Sequence, residues 1–189
     1  MAITLTLTHK VTDDELRELS ARNPGYQFER NAKGDLVVTP TSGRSAYREA
    51  KLVSQLDRWA ERGGLGIVLS PTAGFRLPNG EFYVPDAAWV RHEHWEALGP
   101  DAQDEILYLC PDAAFEIRAK TSRPSDLQEK MRAYLANGAQ LAVLIDPYDR
   151  TVEVYRSGRD REIYTDPKTV ALDPELPGLI LDLEPIFTE

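Results

Sequence analysis

At 189 residues and 21.2 kDa the chain has the size of one domain, and its 42% hydrophobic and 28% charged residues set it apart from disordered chains. A formal net charge of −9 excludes a general attraction to nucleic acid or to an anionic membrane, so contact with a polyanion has to come from a local patch. The single cysteine, Cys110, rules out an intrachain disulfide and a cysteine-rich zinc site; the start MAITLTLTHK has no basic region before a long apolar run, as a signal peptide would, and no run of about 18 apolar residues marks a membrane span, so a cytoplasmic protein is expected.

In chain order, Thr12 is placed to cap a helix reaching Arg22, with Glu15 at the capping-box distance and Asn23-Pro24-Gly25 as its stop. Two short strands follow at 26–30 and 35–39, joined as a hairpin through Ala32-Lys33-Gly34. A helical period governs 45–62 and ends at Gly63-Gly64. The period then falls to two, which predicts strands at 66–70, 74–77, 81–90 and 112–119, with a turn at Pro78-Asn79-Gly80. Residues 92–110 read as an insertion containing a short helical turn. A second clear helix spans 124–137, with proline in its first turn and Gly138 just past its end. Strands at 140–145 and 152–156, joined through Asp146-Pro147-Tyr148-Asp149, follow it. From Asp160 onward the chain is strongly acidic and reads as solvated edge structure. No repeat, low-complexity tract or linker divides the sequence, so one domain over 1–189 is expected, with an N-terminal helix and hairpin (1–40), a core (45–158) and an acidic tail (159–189). This order of elements gives an α+β fold with one mixed sheet flanked by helices.

Three carboxylates stand where apolar side chains are the usual occupants. On a wheel of about 100° per residue, Leu52, Val53, Leu56 and Ala60 fall within about 60° of Glu49, so that carboxylate lies inside the buried stripe of its helix. An ion pair with Arg44 or Arg48 would accommodate it; a role in a site is the alternative. In the strand at 81–90, alternation groups Asp86 with Phe82, Val84, Ala88 and Val90, and it is the only charge on that face. Pro100-Asp101 and Pro111-Asp112 fall at ordinary turn and strand-entry positions, whereas Pro85-Asp86 lies within an apolar strand. Glu116 shares a face with Asp112, Ala114, Arg118 and Lys120, a pattern that solvent exposure also explains. With Asp86 on an adjacent strand, the two carboxylates would form an oxygen-rich pocket for a hard cation such as Mg²⁺.

On the last long helix, Lys130 flanks the stripe of Leu127, Met131, Tyr134 and Leu135, either snorkelling to water or presenting its ammonium to the same pocket. From Arg118 to Arg132 five basic residues (Arg118, Lys120, Arg123, Lys130, Arg132) face only Asp126 and Glu129, the local excess that a phosphodiester backbone requires. A nucleotide phosphate loop, a serine-hydrolase elbow and a zincin helix are all missing from the sequence. His92 and His94 have no third ligand nearby, and Cys110 has no partner histidine; they read as surface and packing residues.

Pro85-Asp86, with the run CPDAAFEIRAKTSRPSDLQEKMRAYLANGAQLAVLIDPYDRTVEVYRSG from Cys110 to Gly158, resembles the Uma-type restriction endonucleases of the PD-(D/E)XK nuclease superfamily. The resemblance implies a restriction-endonuclease-like fold, a central mixed sheet flanked by helices, and Mg²⁺-dependent hydrolysis of DNA, with Mn²⁺ as a possible substitute. By position, Asp86 and Glu116 are the motif carboxylates and Glu49 the acidic residue of the first helix. The metal would be held by Asp86, Glu116 and the Ile117 carbonyl, with Glu49 assisting. Two residues after the glutamate, where the superfamily pattern has lysine, stands Arg118, which does not readily give up its proton. The resemblance points to Lys130 as the spatial replacement, with Tyr134 one turn on, and Arg118, Lys120, Arg123 and Tyr134 are the implied contacts to nucleic acid. DNA is the partner implied, a membrane is not, and a homodimer stays open. From a different class, an inactive nuclease-fold module binding nucleic acid or a protein would use the same basic patch.

Overall fold

The computed structural model describes residues 2–63 and 65–188; Gly64, half of the expected stop after the first long helix, lies outside them. The chain opens with β1 (Ile3–Leu5), α1 (Asp13–Arg22), β2 (Tyr26–Arg30), β3 (Leu36–Pro40) and the long helix α2 (Gly43–Glu61). The capping box forms: the Thr12 hydroxyl accepts the Glu15 N–H at 3.2 Å and the Glu15 carboxylate accepts the Thr12 N–H at 2.7 Å, so two otherwise orphaned donors are met. Then come β4 (Gly66–Leu69), β5 (Phe75–Arg76), β6 (Phe82–Tyr83), β7 (Ala87–Arg91), α3 (His92–Leu98), α4 (Pro100–Gln103), β8 (Ala113–Ile117) and α5 (Pro124–Ala136). The chain continues through β9 (Leu141–Asp146), β10 (Thr151–Arg156), β11 (Glu162–Thr165), β12 (Thr169–Ala171), β13 (Ile180–Asp182) and α6 (Glu184–Phe187).

The central sheet has six strands in the order β11-β10-β9-β8-β7-β4, and it is mixed because β8 and β9 run parallel while the other pairs are antiparallel. A parallel pair needs a crossover, and α5 supplies it. Alternation along the strands feeds two layers. Ala87, Trp89, Ala113, Phe115 and Val143 pack with Leu52 and Leu56 of α2, and Ala88, Ala114, Ala142 and Leu144 pack with Met131 and Tyr134 of α5. Where β4 meets β7 the backbones are so close that a Cβ on Gly66 would lie 2.4 Å from the Val90 carbonyl oxygen.

Three expectations are corrected. The segment 81–90 is two strands in two sheets: β6 joins a second, N-terminal sheet of order β1-β3-β2-β6-β5, and the chain enters the central sheet only at Ala87. Proline has no N–H for a ladder, so Val84-Pro85-Asp86 becomes the bridge between sheets. The insertion at 92–110 contains two helices, α3 and α4. The acidic tail is not solvated throughout, because Val170, Leu172, Leu176, Leu179, Leu181, Leu183, Ile186 and Phe187 are buried in the core beneath α2. Most of its charges, among them Asp173, Asp182 and Glu184, are exposed, while Glu175 pairs with the buried Arg156, so composition alone conceals the apolar half.

This correction has a measurable consequence. Leu176→Ala should cost about 2–5 kcal/mol in urea denaturation, as expected for a buried leucine, whereas a solvated tail would respond by no more than about 0.5 kcal/mol.

Candidate active site

The pairing of β7 with β8 (Ala87↔Phe115, Ala88↔Ala114), continued by one step, sets Asp86 across from Glu116. Directly opposed residues share a face, with Cβ atoms about 4.5–5.5 Å apart. Ala88 and Ala114, of the same parity, face α5, so the two carboxylates are directed toward that helix. Both are buried, Asp86 at 8% exposure and Glu116 at 5%. Asp86 Oδ2 accepts the Ile117 N–H at 2.6 Å, which ties it to the residue next to Glu116. Glu116 Oε1 accepts the Tyr134 hydroxyl at 3.1 Å and lies 2.6 Å from Lys130 Nζ.

Lys130 does not snorkel. It is 7% exposed, and its ammonium is shared between Glu116 and Glu29, donating to Glu29 Oε1 at 2.7 Å. The rings of Tyr83 and Tyr134 lie 5.1 and 6.0 Å from it, within cation–π range. Glu29 is the residue that sequence reasoning missed. It stands on β2, where alternation groups it with Gln27 on what reads as a polar, solvated face. Pairing of β2 with β6 (Arg30↔Phe82) buries it, and Glu29 Oε1 also accepts the Val84 N–H at 2.7 Å.

Negative charge is in surplus in this space. Burial, reinforced by Glu49, pushes the Asp86 carboxyl from its ordinary 3.8 up to about 7. Burial also raises Glu116, with Asp86 and Glu29 adding to the effect against Lys130. Glu49, half-buried, is raised by burial and then by Glu116. Burial opposes the charged form of Lys130, but Glu116 and Glu29 outweigh it and hold the ammonium above its ordinary pKa. The ion pair that would explain Glu49 does not form: Arg48 is committed to the Ile186 carbonyl at 3.0 Å and to the Tyr148 hydroxyl at 3.2 Å, and among the described residues Glu49 has no cationic partner.

The donor set is all carboxylate oxygen, which suits a hard divalent cation, and such a cation would relieve the repulsion just described. Among the described residues no three Asp, Glu, His or Cys side chains form a closed metal cage. Mg²⁺ sites commonly use only one or two carboxylates, with water and substrate completing the shell, so the pair Asp86–Glu116 fits that ion.

The sequence model of a family described as "Putative restriction endonuclease" (Uma2) matches residues 13–184. The chain belongs to the Uma2 family. Among solved structures it is similar to "a putative nuclease belonging to DUF820" from Anabaena variabilis ATCC 29413, with a TM-score of 0.74 and 21% identity over 94% of this chain and 97% of that one. At that identity the likeness is one of fold, and the fold is restriction-endonuclease-like. A DrdV–DNA complex matches more remotely, with a TM-score of 0.38 and 12% identity over 64% of this chain and 12% of that one. No curated protein matches.

In this Uma2 chain two of the expected nucleic-acid contacts are corrected. The Arg118 guanidinium is paired with Asp146 at 2.5 Å and Asp149 at 3.2 Å and stacks on Tyr148, so it locks the loop after β9. Burial works against the Asp146 carboxylate, yet Arg118 and the N–H groups of Asp149 and Tyr148 hold its pKa below the usual range. Tyr134 is fully buried and its hydroxyl is spent on Glu116. Lys120 and Arg123 are exposed in the connection from β8 to α5, and neither has an ion-pair partner among the described residues. His94 binds Asp112 at 2.9 Å, His92 is exposed, and Cys110 donates to the Tyr134 carbonyl at 3.3 Å. Two surface cavities, of about 380 and 330 Å³, lie away from the acidic pair, one beside Trp59 and Pro177 and the other beside Leu7 and Leu19.

The raised Asp86 carboxyl predicts a pH dependence. Its folded pKa lies above the unfolded value, so without metal the folded state binds the extra proton between about pH 4 and pH 7 and loses that contribution as pH rises through 7. Asp86→Asn, which keeps an acceptor for the Ile117 N–H, should match wild type near pH 4 and exceed it at pH 8 by on the order of a few kcal/mol in denaturation with EDTA present. An equal difference at both pH values would refute this titration.

Proposed function

We propose that the protein is a divalent-metal-dependent endonuclease that hydrolyses DNA phosphodiester bonds, with Mg²⁺ as its cofactor and Mn²⁺ as a substitute. The observation that carries this reading is the facing, buried pair Asp86 and Glu116 with the Lys130 ammonium on it, in a chain of the Uma2 family. Asp86 and Glu116 would hold the cation, with the Ile117 carbonyl completing the set and Glu49 assisting. Among the described residues Asp86 Oδ1 and Glu116 Oε2 accept no hydrogen bond, which leaves one oxygen on each carboxylate for that purpose. When bound, the cation supplies polarisation of the scissile phosphate and a lowered pKa for attacking water.

The remaining roles belong to the chain itself. Lys130, kept protonated by its two carboxylates, does not act as a base; it presents positive charge to the oxygens of the phosphate as negative charge develops there. Tyr134 fixes the rotamer of Glu116 by donating to Oε1. With Arg118 committed to Asp146, Lys120 and Arg123 are left to bind the phosphate backbone beside the site. In a protein of net charge −9 that contact is local, so binding should weaken steeply with salt.

Plasmid cleavage at low salt in Mg²⁺, Mn²⁺ or EDTA tests the reading. Wild type should cut with either metal and not with EDTA, and Asp86→Asn or Glu116→Gln should lose roughly a hundredfold or more. Lys130→Met should still bind Mn²⁺ in calorimetry yet cut roughly a hundredfold more slowly, and it should be destabilised by about 3–5 kcal/mol because Glu29 and Glu116 lose their partner. Wild-type rates in Lys130→Met would remove its assigned role. DNA binding through Lys120 and Arg123 without cleavage under any condition would leave the inactive binding module as the better reading.

A further inference from the structure

We propose that Glu29 is a positioning residue of this site: a carboxylate supplied by the N-terminal sheet that holds the Lys130 ammonium beside Glu116 and anchors the backbone leading into Asp86. The inference rests on the nuclease reading and extends it to a residue of the N-terminal sheet, outside the bridge, the strand and the two helices that carry Asp86, Glu116, Glu49 and Lys130. One atom makes both contacts. Glu29 Oε1 accepts from Lys130 Nζ at 2.7 Å and from the Val84 N–H at 2.7 Å.

Each contact supports something that the central sheet does not. Between Tyr83, the last residue of β6, and Ala87, the first of β7, the chain crosses from one sheet to the other with no ladder to fix it. Pro85 contributes no N–H there, so the bond from Val84 to Glu29 stands in for the missing ladder two residues before Asp86. Lys130, for its part, carries its charge on a flexible four-carbon stem. A divalent cation at Glu116 would repel the ammonium now resting on that carboxylate, since two positive charges a few ångströms apart in a poorly solvated space interact strongly. Glu29 gives the ammonium a second anchor on a different sheet, so that Lys130 stays at the site when Glu116 is engaged.

The neighbouring Arg30 shows what a purely structural buried charge does on this strand: it closes the N-terminal sheet by donating to the carbonyls of Gly80 and Val11 and pairing with Asp13. Glu29 differs because its partner is Lys130, 101 residues along the chain and in contact with Glu116. A structural role would therefore appear in stability alone, and a positioning role in the state of Lys130.

Lys130 is buried, whereas Lys10, Lys33, Lys51, Lys120 and Lys168 are exposed, so NMR of protein labelled with ¹⁵N-lysine should give one slowly exchanging ammonium signal that is missing from Lys130→Met. In Glu29→Gln, which retains an oxygen for Val84, that signal should broaden into fast exchange. Mn²⁺ binding should persist, and kcat for plasmid nicking should fall roughly 10- to 100-fold with KM changed by no more than about twofold. Glu29→Asp keeps the charge at shorter reach and should fall between wild type and Glu29→Gln in both measurements; it is the variant to read if Glu29→Gln does not fold. An unmoved ammonium signal in the folded variant, whatever happens to kcat, overturns the proposal. If wild type does not cleave DNA at all, the nuclease reading fails, and the ammonium signal by itself still decides whether Glu29 holds Lys130.

Discussion

A charge taken out of water has to be met by another, and in this protein Glu29, Glu49, Asp86 and Glu116 converge on a space that holds the single ammonium of Lys130. Each buried ion costs several kcal/mol even after the surroundings relax, and one lysine does not compensate four carboxylates. The imbalance is visible in Asp86, Glu49 and Glu116, whose protons are all held more tightly than in water. A core built for stability alone would replace such a group with apolar side chains of similar volume. Such a group departs from the local rules of a core, which is the kind of departure a functional site produces.

The rest of the structure keeps that space in shape. Strands β7, β8 and β9 are covered by α2 on one face and α5 on the other, so the backbone that carries Asp86 and Glu116 has little freedom to relax away from the repulsion. The helix that bridges the parallel pair is also the one that carries Lys130 and Tyr134, so the topology that permits the sheet delivers the cation to its centre. Beyond the strand ends, Arg48 and Arg118 each lie 5.1 Å from the ring of Tyr148, and Arg118 ties the loop down through Asp146. Arg48 and Arg118, which the sequence offers as a partner for Glu49 and as a contact to nucleic acid, are thus spent inside the protein, whereas Lys120 and Arg123 in the connection between β8 and α5 are exposed and have no ion-pair partner among the described residues.

Much of this was legible in the sequence because it is local. The caps and periods of α1, α2 and α5 depend on residues within a few turns of one another, and those elements end within a residue or two of where the pattern ends them. Glu49, Asp86 and Glu116 stood out for the same reason, as charges interrupting or facing apolar periods, and all three are buried or half-buried. The resemblance added weight to these positions, and membership of the Uma2 family agrees with it.

Where a contact joins distant segments the sequence was silent. Glu29 lies 101 residues from Lys130, and Arg48 lies 138 from the Ile186 carbonyl it binds; no spacing or period encodes either meeting. Alternation carried through 81–90 as though it were one strand, because a period of two does not reveal that Pro85 sends the chain into another sheet. The tail looked solvated because acidic residues dominate its charge, yet from Val170 onward eight apolar side chains are interspersed among them and close the core under α2. Residue types and local periods determined which side chains were out of place in water or in the core. Only the tertiary structure decided which partner each one met, because the energy of a charge depends on what lies within a few ångströms of it and not on its neighbours along the chain.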